Sequence, residues 1–133
     1  MSPTPTADRD KLWDLIKDIK FGMFTTRHSD GHLHSRPMTT QNARLDEDRS
    51  LWLFMSRHGD SAADLQASPE VCMSYADSDN DTYVCVAGNA SVSEDAAKKQ
   101  ALWSPMAKAW FPGGVDDPDL LLVRLDIEHA DYW

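Results

Sequence analysis

The spacing of apolar residues predicts a helix near the start of the chain. In DRDKLWDLIKDIK, apolar residues recur at i, i+3, i+4 and i+7, at Leu12, Leu15, Ile16 and Ile19, and charged residues separate them. One apolar stripe at the helical period is typical of a surface helix that packs against a core. We therefore expect the fold to begin near residue 7, after a flexible segment over residues 1–7.

The composition then changes to that of β-strands. Aromatic and β-branched residues flank a Ser-Asp-Gly turn, which predicts a hairpin with strands over about 21–27 and 32–42, because Asp and Gly tolerate positive φ. After the polar turn RLDEDRS, the segment LWLFMS predicts a third strand. GDSAADLQASPE predicts a short helix that ends before Pro69.

VCMSYAD and TYVCVAGNASV flank SDND and predict a second hairpin. A turn centred on residues 78–79 gives one apolar face from two cross-strand pairs, Val71 with Val86 and Met73 with Val84. The same register sets Cys72 opposite Cys85. The two cysteines form no C-x-x-C motif and no secretory signal precedes them, so we expect two reduced thiols in the core and no disulfide.

The last third of the chain predicts helices and one long strand. SEDAAKKQALW predicts a helix, Pro105 opens a second short helical turn, and LLLVRLDIEHADYW alternates as the final strand. The whole chain of 133 residues has the size of one domain, 1–133. Six antiparallel strands with peripheral helices predict a mainly β, α+β fold, in which a small barrel removes exposed sheet edges.

The charge balance excludes some partners. Lys plus Arg number 13 against 22 Asp plus Glu, a net charge of -9. Such a chain lacks the diffuse positive field that attracts nucleic acid or anionic lipid, although a local basic pocket stays open. The N-terminal residues lack the apolar stretch of a secretory signal, and no run approaches the roughly 18 to 20 apolar residues of a spanning helix. We expect a cytoplasmic protein that binds neither nucleic acid nor membrane.

Arg36 and Pro37 interrupt HLHSRPMTTQ, which otherwise predicts a strand. Proline cannot donate to a strand ladder, so Pro37 should lie at a bulge or an edge, where neighbouring side chains are redirected. The Arg36 guanidinium offers a rigid fork of donors that suits phosphate. A salt bridge to one of the many aspartates is the simpler alternative, and Arg36 alone does not decide between the two.

The segment SRHGDSAADL is a second candidate for anion binding. Ser56 and Arg57 end a strand, Gly59 permits a tight turn, and Ser61 stands where a helix begins. Hydroxyls, a guanidinium and unpaired backbone N–H groups therefore converge, as at many phosphate sites. Ordinary capping of the helix by Asp60 or Ser61 is the alternative.

In the segment LWSPMAKAWFPGG, the aromatic residues Trp110 and Phe111 lie directly before Pro-Gly-Gly. Core filling is the usual role of such residues, but a helix end before glycines also suits an apolar interface or a cover for a flat ring. The two roles are compatible.

Other chemistries have less support from the sequence. His28, His32 and His34 could approach one another on the first hairpin, but the spacing supplies no carboxylate or fourth ligand, so we expect no metal site. G-x-S-x-G, G-x-G-x-x-G and Walker motifs are absent from the sequence. The sequence therefore excludes a standard hydrolase elbow and a standard dinucleotide or nucleoside triphosphate cradle.

Several segments resemble one family. SRPMTTQ, LWLFMSRHGDSAADL, PEVCMSYAD, TYVCVAGNASVSED and LWSPMAKAWFPGGVDDPDLLLVRLD resemble the FMN-binding split-barrel family, the relatives of pyridoxamine 5'-phosphate oxidase, and its general stress protein branch above all. The similarity covers about residues 10–133. It implies a single FMN-binding domain built as a six-stranded antiparallel split β-barrel with peripheral helices.

The resemblance also implies roles for individual residues. In the family, the arginine matching Arg36 holds the FMN phosphate, the backbone at 37–39 runs beside the isoalloxazine ring, and the segment 55–61 adds phosphate and ribityl contacts. Many members carry a lysine where this chain has Ser61, so amide donors and Arg57 should matter more here. The residues implied to contact the cofactor are Arg36, Pro37, Met38, Thr39, Met55, Ser56, Arg57, Ser61, Trp110 and Phe111.

Family members are homodimers with the flavin at the subunit interface, so the resemblance implies a homodimer that binds FMN rather than FAD. It implies an FMN-binding general stress-type protein that acts as a flavin-dependent oxidoreductase, with NAD(P)H as a candidate reductant and an unknown substrate. A flavin carrier or sensor without turnover is an alternative, and a barrel that has lost its cofactor is another. The sequence nominates no catalytic acid or base.

Overall fold

The structure is a computed structural model that describes residues 9–45 and 49–133. The segment predicted to be flexible and part of the polar turn after the second strand lie outside the described residues. The described elements are α1 Arg9–Ile16, β1 Gly22–Arg27, β2 Leu33–Met38, β3 Ser50–Ser56, α2 Asp60–Ala67, β4 Glu70–Asp77, β5 Thr82–Ser93, α3 Ala96–Leu102 and β6 Leu120–Tyr132. Short 3₁₀ turns span Ser78–Asn80, Pro105–Ala109 and Gly114–Asp116. The predicted order of elements is confirmed.

The six strands form one antiparallel sheet in the order β2-β1-β4-β5-β6-β3. The sheet curls into a half-barrel, which confirms the predicted split barrel. Its two edge strands, β2 and β3, are joined across a gap by the residues that follow β2. The Gln41 amide donates to the Trp52 carbonyl at 2.8 Å, and the Asn42 side chain accepts from the Trp52 amide and donates to the Ser50 carbonyl, both at 2.8 Å. β2 therefore ends earlier than predicted, because residues 39–42 leave β1 and turn towards β3.

The core lies inside the curl. Alternate residues of the strands point inward, and Phe24, Leu53, Met73, Val86 and Leu125 are fully buried there. α1 contributes Leu12 and Ile16 to the same core, and Leu15 and Ile19 pack at its margin. The apolar stripe predicted for the first helix is thus confirmed.

The register predicted for the second hairpin is wrong by two residues. Met73 pairs with Val86, and Val84 pairs with Tyr75 instead of Met73. The loop spans four residues, 78–81, and closes with Asp81 in the left-handed region at φ 51°, so its centre lies further along the chain than assumed. A shift of two residues keeps every side chain on its face, which is why the apolar face was still predicted correctly.

The outer face of the sheet divides into two halves. Over β3 and β6, α3 and the following residues cover the face: Trp103 packs on Phe54 with ring centroids 6.0 Å apart, and Lys98 lies over the Trp52 ring. Over β1, β4 and β5, Met23 and Tyr83 are exposed. Cys72 and Cys85 point outward on this open half and are half-buried free thiols, so their predicted core position is wrong.

Candidate functional site

Arg36 lies on an edge strand and points to the inner face. It pairs with Phe24 across the ladder, and His34 pairs with Thr26, so Arg36, His34 and Thr26 share one face of the sheet. Pro37 follows on the same edge strand, where its missing N–H donor is tolerated. This confirms the edge position that the sequence predicted for Pro37.

The Arg36 guanidinium meets a buried carboxylate on α2. Nη1 donates to Thr26 Oγ1 at 2.6 Å and to the His34 carbonyl at 3.2 Å, while Nη2 lies 3.5 Å from Asp64 Oδ2 and 2.9 Å from His34 Nδ1. The Asp64 side chain is 1% exposed and the Arg36 side chain is 16% exposed. The salt bridge to an aspartate that the sequence left open is therefore present, and Asp64 is its partner.

Two further groups hold Asp64 in its ionised form. Thr26 Oγ1 donates to Oδ2 at 2.7 Å, and His28 Nδ1 lies 2.9 Å from Oδ1. Burial by itself raises the pKa of Asp64, but the hydrogen bonds from Thr26, His28 and Arg36 together lower it below its ordinary value. The same contact with Asp64 raises the pKa of His28, against a smaller opposing effect of desolvation.

The start of α2 lies next to this network. Ser61 and Asp64 are three residues apart and both are buried, so they share the face of α2 that packs on the sheet. Gly59 is the N-cap and provides no side-chain cap, so the capping by Asp60 or Ser61 that the sequence left open as an alternative is not formed. The first amides of α2 therefore lack a partner within the helix, and the Ser61 hydroxyl makes no hydrogen bond to any described residue.

Ser56 and Arg57 are bound to a different segment of the chain. The Ser56 hydroxyl donates to Asp119 at 2.7 Å and 2.8 Å, and Arg57 Nε donates to the Pro118 carbonyl at 3.0 Å. The hydrogen bonds from Ser56 and His58 lower the pKa of Asp119. Arg57 also lines a small cavity of about 130 Å³ with Lys99 and the start of α3. In the described residues, Arg36 and Arg57 share no hydrogen-bonding partner.

The two candidate ring-covering aromatic residues differ in exposure. Trp110 is 77% exposed, whereas Phe111 is 8% exposed and packs within its own chain. Met55, at the end of β3, is also buried. Of these side chains, Trp110 alone is free to meet a second molecule without a change in the fold.

The histidines of the first hairpin stack without forming a metal site. The rings of His28 and His32 lie 4.8 Å apart and those of His32 and His34 lie 6.4 Å apart. Within residues 9–45 and 49–133, no group of three or more His, Cys, Asp or Glu side chains is placed to hold a metal ion. None of the helices formed by these residues combines the length and apolar character that a bilayer crossing requires.

Asp64 and Thr26 belong to the site and were not predicted from the sequence. A signal for Asp64 exists: it lies on the buried face of α2 beside Leu65, and an acidic residue on an apolar helix face requires a cation or hydrogen-bond donors. Nothing local identifies the donors, because Thr26, His28 and Arg36 are 28 to 38 residues away in sequence.

The chain is similar to known proteins in both sequence and fold. Residues 7–133 match the family described as Pyridoxamine 5'-phosphate oxidase like. General stress protein 26 of Bacillus subtilis (strain 168) is 29% identical over 123 residues, which cover 90% of this chain and 84% of that protein. The solved structure of the general stress FMN/FAD binding protein from Xanthomonas citri is 30% identical, with a TM-score of 0.78 over 97% of this chain and 89% of that chain.

General Stress Protein 26 from Bacillus anthracis str. Sterne shares the fold, with a TM-score of 0.80 and 24% identity over 93% of this chain and 92% of that chain. The family match leaves out six N-terminal residues of the 133. Since the curled six-stranded sheet and nearly the whole sequence agree with these relatives, the chain belongs to the pyridoxamine 5'-phosphate oxidase-like family.

Proposed function

We propose that this protein binds FMN, with the phosphate held between Arg36 and the first turn of α2. The observation that carries the proposal is the contact of the Arg36 guanidinium with Asp64, one helical turn from the uncapped start of α2. A guanidinium and the free amides of a helix start are the two commonest ways in which proteins hold a phosphate. Here the fold brings both to one place.

The donors at this place are only partly used. Arg36 Nε, the first amides of α2 and the Ser61 hydroxyl make no hydrogen bond to the described residues. The contact between Arg36 Nη2 and Asp64 is long, at 3.5 Å, so a dianionic phosphate can compete for the guanidinium. Asp64 opposes a phosphate electrostatically, and its charge should weaken the binding without preventing it.

The remaining predicted contacts are consistent with this position. Pro37 and Met38 continue β2 from Arg36, and Thr39 follows the end of that strand, so their backbone would run beside the isoalloxazine ring. FMN would supply hydride or single-electron transfer at that ring. Ser56 and Arg57 are engaged with residues 118–119, so we assign them to the support of the end of β3 in this chain.

A relative supports the choice of ligand. The Xanthomonas citri protein, which is 30% identical over 97% of this chain, is a general stress FMN/FAD binding protein. We propose FMN over FAD because Arg36 Nε, the first amides of α2 and the Ser61 hydroxyl are donors at one place, which suits a single terminal phosphate.

The test is a titration of the purified protein with FMN, followed by quenching of flavin fluorescence. Replacement of Arg36 by Ala should weaken binding by about 10- to 100-fold, since a hydrogen bond to a charged group contributes roughly 1.5–3 kcal/mol. Arg27→Ala is the matched control, because Arg27 is exposed on the opposite face of the neighbouring strand. Equal affinities of the two variants would contradict the phosphate site.

We further propose that two copies associate and that each flavin site draws on both. A flavin ring beside the edge strand β2 would be open to solvent in a single chain, and the exposed Trp110 is available for a partner. Sedimentation equilibrium should give about twice the chain mass of 14.9 kDa. A protein that stays monomeric and still binds FMN would contradict this part of the proposal.

We propose that the protein is an oxidoreductase. The alternative function of the same flavin site is that of a flavin carrier without turnover. Anaerobic mixing of the FMN-loaded protein with NADH or NADPH separates them, because only a reductase should bleach the flavin colour rapidly. A flavin that stays oxidised with either nucleotide would favour a carrier or a sensor.

One observation favours a different function, a barrel without a cofactor: Arg36 already has a carboxylate partner in Asp64. The family resemblance adds that Ser61 stands where many members carry a lysine. In that case the wild-type protein would fail to quench FMN at high micromolar concentration. Arg36→Ala would then change only the free energy of unfolding.

A further inference from the structure

Two thiols meet on the open half of the outer face. Cys72 on β4 and Cys85 on β5 have their Sγ atoms 3.1 Å apart. They are not directly opposite in the ladder, since Cys72 pairs with Ala87 and Cys85 pairs with Ser74. The contact is therefore diagonal across two neighbouring strands.

The surroundings of the two thiols differ from those of core cysteines. Both are half-buried and lie outside the apolar interior. Ser74 Oγ lies 3.7 Å from Cys72 Sγ, and Asp131 is the ladder partner of Cys85 on β6. The described residues place no other metal-ligating side chains with them to form a metal site, so a cation does not account for the pairing.

We propose that Cys72 and Cys85 are a redox modification site, which peroxides oxidise to an intramolecular disulfide and which small dithiols reduce again by thiol–disulfide exchange. The proposal rests on the thiol contact alone and does not depend on flavin binding. A structural disulfide is not required for the fold, because the two strands are already joined by a continuous ladder from Glu70↔Asn89 to Asp77↔Thr82.

The reaction balances with one peroxide for each pair. One thiolate attacks a peroxide oxygen, the O–O bond breaks, and the sulfur becomes a sulfenic acid while hydroxide takes up a proton. The second thiol then attacks this sulfur, the S–O bond breaks, and water leaves with the thiol proton. With hydrogen peroxide, two thiols and one peroxide give one disulfide and two water molecules.

The surroundings suggest which thiol reacts first. Burial, the contact with Cys72 and the Asp131 carboxylate raise the pKa of the Cys85 thiol to about 11. Because the thiolate is the nucleophile, the raised pKa makes Cys85 slow to attack a peroxide from solution. Its contact with Cys72 at 3.1 Å still lets it close the disulfide in the second step, which is intramolecular. We therefore assign the first oxidation to Cys72 and the closure to Cys85.

The distance to be closed is small. A disulfide needs its sulfurs at about 2.05 Å, so the two Sγ atoms must approach by roughly 1 Å. Both side chains lie on the outer face of the sheet and neither is packed in the core, so they can rotate towards each other. Diagonal positions of an antiparallel ladder lie about 7–8 Å apart at Cα, so the two strands must also approach slightly for the bond to form.

Peptide mapping tests the proposal on the wild-type protein. The reduced protein is treated with hydrogen peroxide, alkylated with iodoacetamide and cut with trypsin. Trypsin cuts after Arg57 and after Lys98, and no Lys or Arg lies between these two residues, so both cysteines are on one peptide. After oxidation we expect this peptide to take up no alkyl group. Its mass should be about 2 Da lower than that of the reduced peptide before alkylation.

Dithiothreitol should restore two alkylation sites. A second digestion at aspartate should give two peptides linked only in the oxidised sample, because Asp77, Asp79 and Asp81 lie between the cysteines. Cys72→Ser and Cys85→Ser are the controls, and neither should show the loss of 2 Da. Cys72→Ser should also react more slowly with peroxide than Cys85→Ser.

Three results would overturn the proposal. The first is full alkylation after peroxide treatment, and the second is a gain of oxygen mass on single cysteines in place of the loss. The third is a covalent dimer on a non-reducing gel, which would show that the thiols of different copies react. Failure to bind FMN would leave the proposal standing, so the two proposals fail separately.

Discussion

At the scale of single residues, the buried carboxylate of Asp64 determines where Arg36 lies. It is held by Thr26 at 2.7 Å and by His28 at 2.9 Å, and Arg36 reaches the same group from β2. A buried charge is costly unless donors surround it, and three donors provide that compensation here: Thr26 on β1, His28 just after β1, and Arg36 on β2. Asp64 therefore links α2 to the β1–β2 hairpin.

Replacement of Asp64 by Asn should have two opposite effects. Stability should fall by about 1–3 kcal/mol, because an amide cannot accept from all the donors that the carboxylate serves. FMN affinity should rise, because the competitor for the Arg36 guanidinium is neutralised. Urea denaturation and fluorescence titration measure the two effects. Asp60→Asn, on the exposed side of α2, is the control for stability, and a larger loss there would contradict the role of Asp64.

The contact between His28 and Asp64 should make stability depend on pH. The pKa of His28 is raised above 6.5 in the folded protein, so its contribution is complete below pH 6.5 and is lost as the pH rises through the folded pKa. The pKa of Asp64 is lowered below 3.8, so the carboxylate stays charged until the pH falls below that value. The ion pair should therefore stabilise the protein most between these limits.

The variant His28→Asn keeps a neutral donor and removes the titration. The difference in melting temperature between wild type and variant should be largest near pH 5–6 and should shrink as the pH rises through the raised pKa of His28. His129→Asn, on the exposed part of β6, controls for the loss of a histidine as such. A difference that grows with rising pH would contradict the assigned sign.

The sequence could not decide the partner of Arg36. Residue type alone predicted an anion and left a phosphate and an aspartate as alternatives. The choice depends on contacts over 28 residues or more, which neither periodicity nor turn signals encode. Pro37 was predictable, because its missing donor restricts it to an edge whatever the tertiary structure is.

At the scale of elements, β5 is the strand that shapes the curl. It pairs with β4 and β6, and its register with β6 shifts between Ala87 and Gly88. At this irregularity the backbone of β6 comes very close to Gly88, because a Cβ at that position would lie 1.9 Å from the Asp126 carbonyl oxygen. The missing side chain allows the two strands to approach.

Gly88→Ala should destabilise the protein by about 3 kcal/mol or more, since the backbone of a central strand must move to admit one methyl group. Gly59→Ala is the matched control, because its Cβ would meet Ser56 at an ordinary 3.5 Å. The control should cost under about 1 kcal/mol. Denaturant midpoints of the two variants give the comparison, and similar midpoints would contradict the close approach.

Local signals predicted the elements better than their pairing. The helical stripe of α1 and the end of α2 before Pro69 follow from residues close in sequence, so both were confirmed. The register of β4 and β5 depends on one backbone conformation, the left-handed Asp81, which the letters SDND do not specify. The cysteines were placed in the core by composition, and only the strand alternation shows that they point outward.

At the scale of the whole molecule, the net charge of -9 acts on any anionic ligand. FMN would approach against a repulsive field and then meet a local cation, Arg36, whose side chain is 16% exposed. Salt screens the distant charges over about 10 Å at 0.1 M, but it screens a partly buried contact much less. The repulsion of FMN by the overall charge and its attraction to Arg36 should therefore respond differently to ionic strength.

The association rate of FMN should rise by about two- to tenfold between low salt and 0.15 M. Stopped-flow quenching of flavin fluorescence measures this rate. Riboflavin, which lacks the phosphate, is the control and should show no comparable change. A rate that falls with added salt would mean that a local basic surface, and not the overall charge, guides the ligand.

The gap between β2 and β3 has a consequence for how such a protein would respond to its ligand. Residues 36–39 lie on one side of the gap and 55–57 on the other, and Gln41 and Asn42 connect the two sides through Trp52 and Ser50. A phosphate held between Arg36 on β2 and the first turn of α2, which follows β3, would bridge the same gap and oppose its opening. Ligand binding at this site would then make the whole curled sheet more rigid, including parts of the barrel that do not contact the ligand.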